Sequence, residues 1–221
     1  MEAPSPSELL RYPAVGGLCV IALGLYAAVP PDAIEPLQLD LRALSLPPFG
    51  PEPWRLLTAA LLHAGQLQGP DMIAGLIHAG FNCYWLWTLG TAIEQRLGHL
   101  ATLAMLVLFA VGGSLLEYAF NGAAVGLSGV VYGVAALLTV LARRSPRWRG
   151  TIDERTSKFF AVWFLICVAA TAAEIMNIAN FAHAGGAILG ALLGWAMIER
   201  GPRRALAGTA LAICLGLFFA G

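Results

Sequence analysis

Charge divides this chain into segments, and the lengths of the uncharged segments limit what it can become. Residues 12–31 carry no charged side chain. A helix needs about 20 mostly apolar residues to cross the hydrocarbon core of a bilayer, so this stretch is long enough to span and to remain as an anchor rather than a cleaved leader. Further spans are expected near 72–93, 99–119, 126–142, 159–176 and 181–198, with the first near 12–30. The apolar tail 205–221 is a candidate seventh span. With 58% hydrophobic and 12% charged residues, the chain departs from soluble domains, which run near 45–50% and 25%. The expected class is an all-α membrane protein: a six-helix transmembrane bundle with a seventh C-terminal candidate.

Its organisation is then a short N-terminal segment 1–11, a six-span core 12–198 with a long loop 31–71, and a basic turn with apolar tail, 199–221. Lys and Arg are unevenly divided between the loops. Eleven fall on the side of the N-terminus, six of them between Arg143 and Lys158, against Arg42 and Arg55 on the other. Basic loops stay cytoplasmic, so the N-terminus is expected inside and the loops 31–71, 120–126 and 177–181 outside. The formal net charge is zero, and nothing points to a nucleic-acid partner. Cys19, Cys83, Cys167 and Cys214 lie in apolar stretches without paired spacing, which reads as packing rather than a disulfide or zinc framework.

This orientation sets two reactive residues at one depth. Ser128, in Gly126-Leu127-Ser128-Gly129, falls just inside the outer end of the fourth span, and His183 near the outer end of the sixth. Serine needs an adjacent base to become a nucleophile, and an ionisable residue inside a membrane helix is costly without a purpose. The four aspartates, Asp32, Asp40, Asp71 and Asp153, all lie outside the expected spans. A Ser-His dyad is therefore the simpler expectation than a triad. His183, Gly186 and Gly190 share one helix face, and small residues there let two membrane helices approach closely. Tyr132, one turn below Ser128, is placed to pack on the imidazole. His78 and Asn82, at i and i+4 on the second span, are candidate oxyanion donors, joined by the backbone N–H of Ser128. Gly-Leu-Ser-Gly alone is a weak signal; the constellation is the stronger one.

Several segments in order resemble the rhomboid proteases: Trp54-Arg55, His78-Ala79-Gly80-Phe81-Asn82, Glu94-Gln95-Arg96-Leu97-Gly98, Gly126 through Tyr132, and Ala182-His183-Ala184-Gly185-Gly186 through Gly190. The similarity covers most of 54–198. It implies a Ser128/His183 dyad, an oxyanion hole lined by His78 and Asn82, Gly126 shaping the loop before the nucleophile, and Tyr132 stacked on His183. It also implies no metal or organic cofactor, and substrates that are membrane proteins with a transmembrane segment, cut in or near that segment. The compartment it implies is a bacterial inner membrane, with the site opening outward. Fourteen residues separate His63 from His78, more than the short step usual in the family's bacterial members. This segment reads as an insertion and His63 as structural. The family's polar residue on the third span has no clear match here, Glu117 being the nearest candidate; Glu117 and Glu174, near outer helix ends, are expected to snorkel toward water. Asn121-Gly122 and Gly126 interrupt the apolar run before Ser128, which suggests a water-filled cavity with Ser128 at its floor and substrate entry from lipid past the fifth span. The alternatives are a catalytically silent rhomboid-like protein that binds membrane clients, and a transporter, for which no inverted repeat is apparent. A metalloprotease lacks its HExxH signature.

Overall fold

A computed structural model describes residues 3–38, 54–63, 72–122 and 125–199, with Gly208. Among these there is no strand, and the all-α membrane bundle forms. The helices are α1 Pro13–Ala28, α2 Arg55–Leu61, α3 Met72–Trp85, α4 Thr91–Leu97, α5 His99–Asn121, α6 Ser128–Arg144, α7 Glu154–Ala172 and α8 Asn180–Ile198. A single π-helical turn, Leu86–Gly90, joins α3 to α4, so the second span is one rod over 72–97. The tail 205–221, the seventh candidate, lies outside the described residues except for Gly208.

Helix ends follow local chemistry. Gly98 (φ 82°) and Gly122 (φ 88°) close the rod 72–97 and α5 in the left-handed region, which glycine enters without a Cβ penalty. The start of α7 lies earlier than hydropathy places it, at Glu154 rather than 159. Asp153 caps it by accepting from the Thr156 N–H at 2.7 Å, and Glu154 pairs with Lys158 one turn on at 2.8 Å. The helix thus continues out of the apolar layer. Its other end also comes early, at Ala172, followed by Glu174 in the left-handed region (φ 58°).

The bundle is organised around α6. Ten of its 17 residues are buried, and they point in every direction around the axis, as expected of a central helix. Its length is about 25 Å at 1.5 Å per residue, less than the roughly 30 Å hydrocarbon layer. Around it α5, α7, α8 and the rod 72–97 turn apolar side chains outward: Ile77, Leu100, Val162, Leu165 and Ile188 are all exposed. In water such a shell would be a liability; in lipid it is the ordinary exterior.

α1 is docked by one buried carboxylate. Glu94, 2% exposed, accepts from the Ala14 and Val15 N–H groups, each at 2.9 Å, and pairs with His99 Nδ1 at 2.7 Å. The first N–H groups of a helix have no intrahelical partner and carry its positive dipole end. A carboxylate there satisfies both conditions.

α6 and α8 pack backbone to backbone. A methyl group built on Gly186 would run into the Gly129 carbonyl oxygen, and one on Gly190 into that of Gly133. Gly133 is also covered by the Phe109 ring of α5. This crossing sets how far apart residues 128 and 183 stand.

Candidate active site

Gly126 has φ 131°, a conformation open to glycine and costly for other residues. A side chain there would also press on His78, whose Cε1 lies 3.1 Å from the Cβ position. The Gly126 N–H donates to the Ala59 carbonyl of α2 at 3.1 Å. α2 itself is held at its Thr58, whose hydroxyl donates to the Leu37 carbonyl at 2.6 Å. Loop 31–71 thus contributes a short helix that braces the turn before Ser128, an element not visible in the sequence.

Ser128 opens α6, and His183 lies in the first turn of α8. His183 Nε2 and Ser128 Oγ are 2.8 Å apart. With the hydroxyl as donor, Nε2 is the unprotonated nitrogen, an assignment made from the bond itself. His183 is 4% exposed, and its ring stacks on Tyr132 with centroids 4.5 Å apart and planes at 27°. Among the described residues neither His183 Nδ1 nor the Tyr132 hydroxyl has a hydrogen-bond partner. No carboxylate therefore orients the imidazole directly; the ring stack and the main chain of α8 do.

His78 and Asn82 lie on the facing side, on α3. The His78 ring stands edge-on to His63, with centroids 5.2 Å apart. Asn82, 3% exposed, has its Nδ2 at 3.2 Å from His63 Nε2. The Leu127 N–H points at the same nitrogen from 3.5 Å. Two donors converge on Nε2, so His63 carries its proton on Nδ1. Burial and the neighbouring His78 lower the His63 pKa to about 4, which keeps it neutral at ordinary pH. His63 is completely buried and links Asn82 to the residue preceding Ser128. An ionisable residue in the apolar run Thr58–His63 was the signal for it in the sequence.

Asn82 keeps a second amide hydrogen beyond the one turned to His63. Replacing His63 with alanine should therefore free Asn82 to swing and leave it without its buried partner. Turnover is expected to fall by on the order of 10-fold, while Asn82→Ala costs on the order of 100-fold, the scale of a lost oxyanion donor. Steady-state cleavage rates of the two variants check this; equal wild-type rates in both would remove the pair from the site.

Glu117 departs from the sequence expectation. It does not snorkel: it is 1% exposed, and its carboxylate is fully engaged inside the bundle. Glu174 is exposed. Gly190 stands about two turns along α8 from His183, at the helix crossing rather than in the site. A cavity of about 370 Å³ lies among α6, α7 and α8, lined by Tyr132, Ala136, Phe160, Phe164, Ala184 and Ile188. It reaches Tyr132, beside the pair, and Ser128 is not among its lining residues. Among the described residues no three His, Cys, Asp or Glu side chains converge as a metal site requires.

Fold and site together define a class: an integral membrane protein of packed helices with a serine and a histidine in hydrogen-bond contact at a helix crossing. The Rhomboid domain family matches residues 50–200, and the chain belongs to the rhomboid family. It is 34% identical over 143 residues to the rhomboid protease GlpG of Serratia proteamaculans (strain 568). Identity is 35% over 143 residues to the protein of the same name from Yersinia pestis (strain Pestoides F). Each match covers 63% of this chain and 46% of the relative, so the chain spans about half the length of the curated relatives it matches.

Proposed function

We propose that this chain is an intramembrane serine endopeptidase that hydrolyses peptide bonds in or near the transmembrane segments of other membrane proteins. The observation that carries the reading is the 2.8 Å contact between Ser128 Oγ and His183 Nε2. His183 takes the hydroxyl proton as Oγ attacks the scissile carbonyl, then delivers it to the leaving amine. Water hydrolyses the resulting acyl-enzyme by the same base. Charge on the carbonyl oxygen is met by the Ser128 N–H at the start of α6, where first-turn amides have no carbonyl of their own helix to bond. His78 and Asn82 add side-chain donors, and Gly126 keeps the approach open.

A substrate helix shields its carbonyls with its own hydrogen bonds, so it must unwind before attack. The apolar cavity beside Tyr132 and the outward-facing surface of α7 favour entry from lipid past that helix. The decisive experiment uses purified protein with a generic transmembrane substrate, comparing wild type with Ser128→Ala and His183→Ala. Cleavage by wild type alone supports the reading; no cleavage by wild type, or equal cleavage by the serine variant, sinks it.

The basic loop 143–158 supports a cytoplasmic N-terminus in a bacterial inner membrane and a site facing outward. With the native cysteines replaced, Ile175→Cys should react with a membrane-impermeant thiol reagent on intact spheroplasts, and Arg149→Cys only after lysis. The reverse pattern would invert the orientation.

A further inference from the structure

Glu117 is a carboxylate buried beside the site to which the dyad chemistry assigns no task. Its Oε1 accepts from Asn121 Nδ2 at 2.9 Å, and its Oε2 accepts from the Ala182 N–H at 2.9 Å. Ala182 is the third residue of α8 and immediately precedes His183. That N–H is among those a helix cannot satisfy internally, and a carboxylate makes the stronger, charge-assisted kind of bond to it. The same residue is held from a second direction. The Ala182 carbonyl oxygen lies 3.1 Å from the Cβ position of Gly113 on α5 and 3.0 Å from that of Gly129 on α6. Gly113 is one turn before Glu117, and Gly129 follows Ser128. The main chain at residue 182 is thus fixed against both neighbouring helices, on one side of the histidine.

We propose that Glu117 is a positioning residue for the reaction: by clamping the Ala182 N–H it sets the register of the first turn of α8, and with it the reach of His183 to Ser128. The inference rests on the protease reading above. Among the described residues no hydrogen bond holds the imidazole at Nδ1, so the placement of Nε2 falls to the Tyr132 stack and to the backbone that Glu117 fixes. The carboxylate supplies from the helix end the alignment that an aspartate would otherwise give at the ring.

The test separates alignment from folding. A fluorophosphonate that reacts at Ser128 gives two numbers for each variant: the fraction labelled at saturation, and the rate constant of labelling. Glu117→Leu keeps the approximate volume and removes the acceptor of the Ala182 N–H. Its rate constant and its kcat should fall on the order of 10- to 100-fold, the scale of a sub-ångström to ångström misplacement. The labelled fraction and KM should change little. Asn121→Ala, which leaves the carboxylate on Ala182, should stay near wild type. In Glu117→Gln the glutamine oxygen can still accept from Ala182, while Asn121 turns over to accept from the new amide. That variant should recover most of the rate lost in Glu117→Leu, even if Glu117→Leu folds poorly. An unchanged rate constant in Glu117→Leu overturns the proposal, as does a loss confined to the labelled fraction, an equal loss in Asn121→Ala, or an equal loss in Glu117→Gln. A wild type that neither labels nor cleaves instead defeats the protease reading itself, and this proposal with it.

Discussion

Ser128→Ala is expected to reduce cleavage on the order of 10⁴-fold or more while leaving the bundle folded. The size follows from how such groups act together. A nucleophile and its base form one unit, so removing either forfeits nearly all of the covalent pathway, and removing both costs little more. His183→Ala should therefore match Ser128→Ala within about a factor of ten, and the double variant should add almost nothing. Folding is a separate matter. Ser128 is only partly buried, and its hydroxyl makes one hydrogen bond of the kind worth about 0.5–1.5 kcal/mol net. The methyl that replaces it sits at the start of α6 without crowding. Labelling by a fluorophosphonate should vanish in Ser128→Ala and slow sharply in His183→Ala, with thermal midpoints in detergent close to wild type. Multiplicative losses in the double variant would mean that the two residues act independently, and the 2.8 Å contact would then not be the catalytic one.

What the sequence revealed, and what it hid, follows from the range of each signal. The pairing of Ser128 with His183 was legible because it rests on two short-range rules, helix period and span depth, each readable from a single segment. The reach of α7 to Glu154 was hidden because hydropathy counts Glu154, Arg155 and Lys158 as loop. Their capping and i,i+4 pairing make a good helical turn in water. Glu117 was misread for a related reason. A charged residue near a helix end usually reaches for water, and whether a better partner exists depends on Ala182 in the first turn of α8, 65 residues later in the chain. His63 and α2 were obscure because their partners, Asn82 and the Gly126 loop, come from other segments. Sequence patterns located the serine and the histidine that the fold brings together; the groups that hold them in place are defined by contacts between segments.

Gly186→Ala is expected to cost both stability and rate, and Gly186→Val to prevent the α6–α8 crossing from closing. The first added carbon at residue 186 points at the Gly129 carbonyl oxygen, and at residue 190 at that of Gly133. Backbone atoms in two packed helices cannot turn aside as the end of a side chain can, so the helices must separate. Overpacking in a well-filled interior costs about 1–3 kcal/mol and occasionally more, and valine adds two methyl groups to the same obstruction. Gly24, on α1 with nothing within 4 Å of its Cβ position, is the matched control. There alanine should be neutral or stabilising by up to about 1 kcal/mol through helix propensity alone. The separation also has a chemical consequence, because Gly129 adjoins Ser128 and Gly186 is one turn from His183. Pushing these backbones apart lengthens the serine–histidine contact, so Gly186→Ala should label more slowly even in molecules that remain folded. Gly190→Ala obstructs a turn further from the pair. Its thermal midpoint should fall comparably, while its labelling rate stays nearer to wild type. A Gly186→Ala protein that matched Gly24→Ala in both midpoint and rate would mean that the close approach of α6 and α8 is not what sets the distance between serine and histidine.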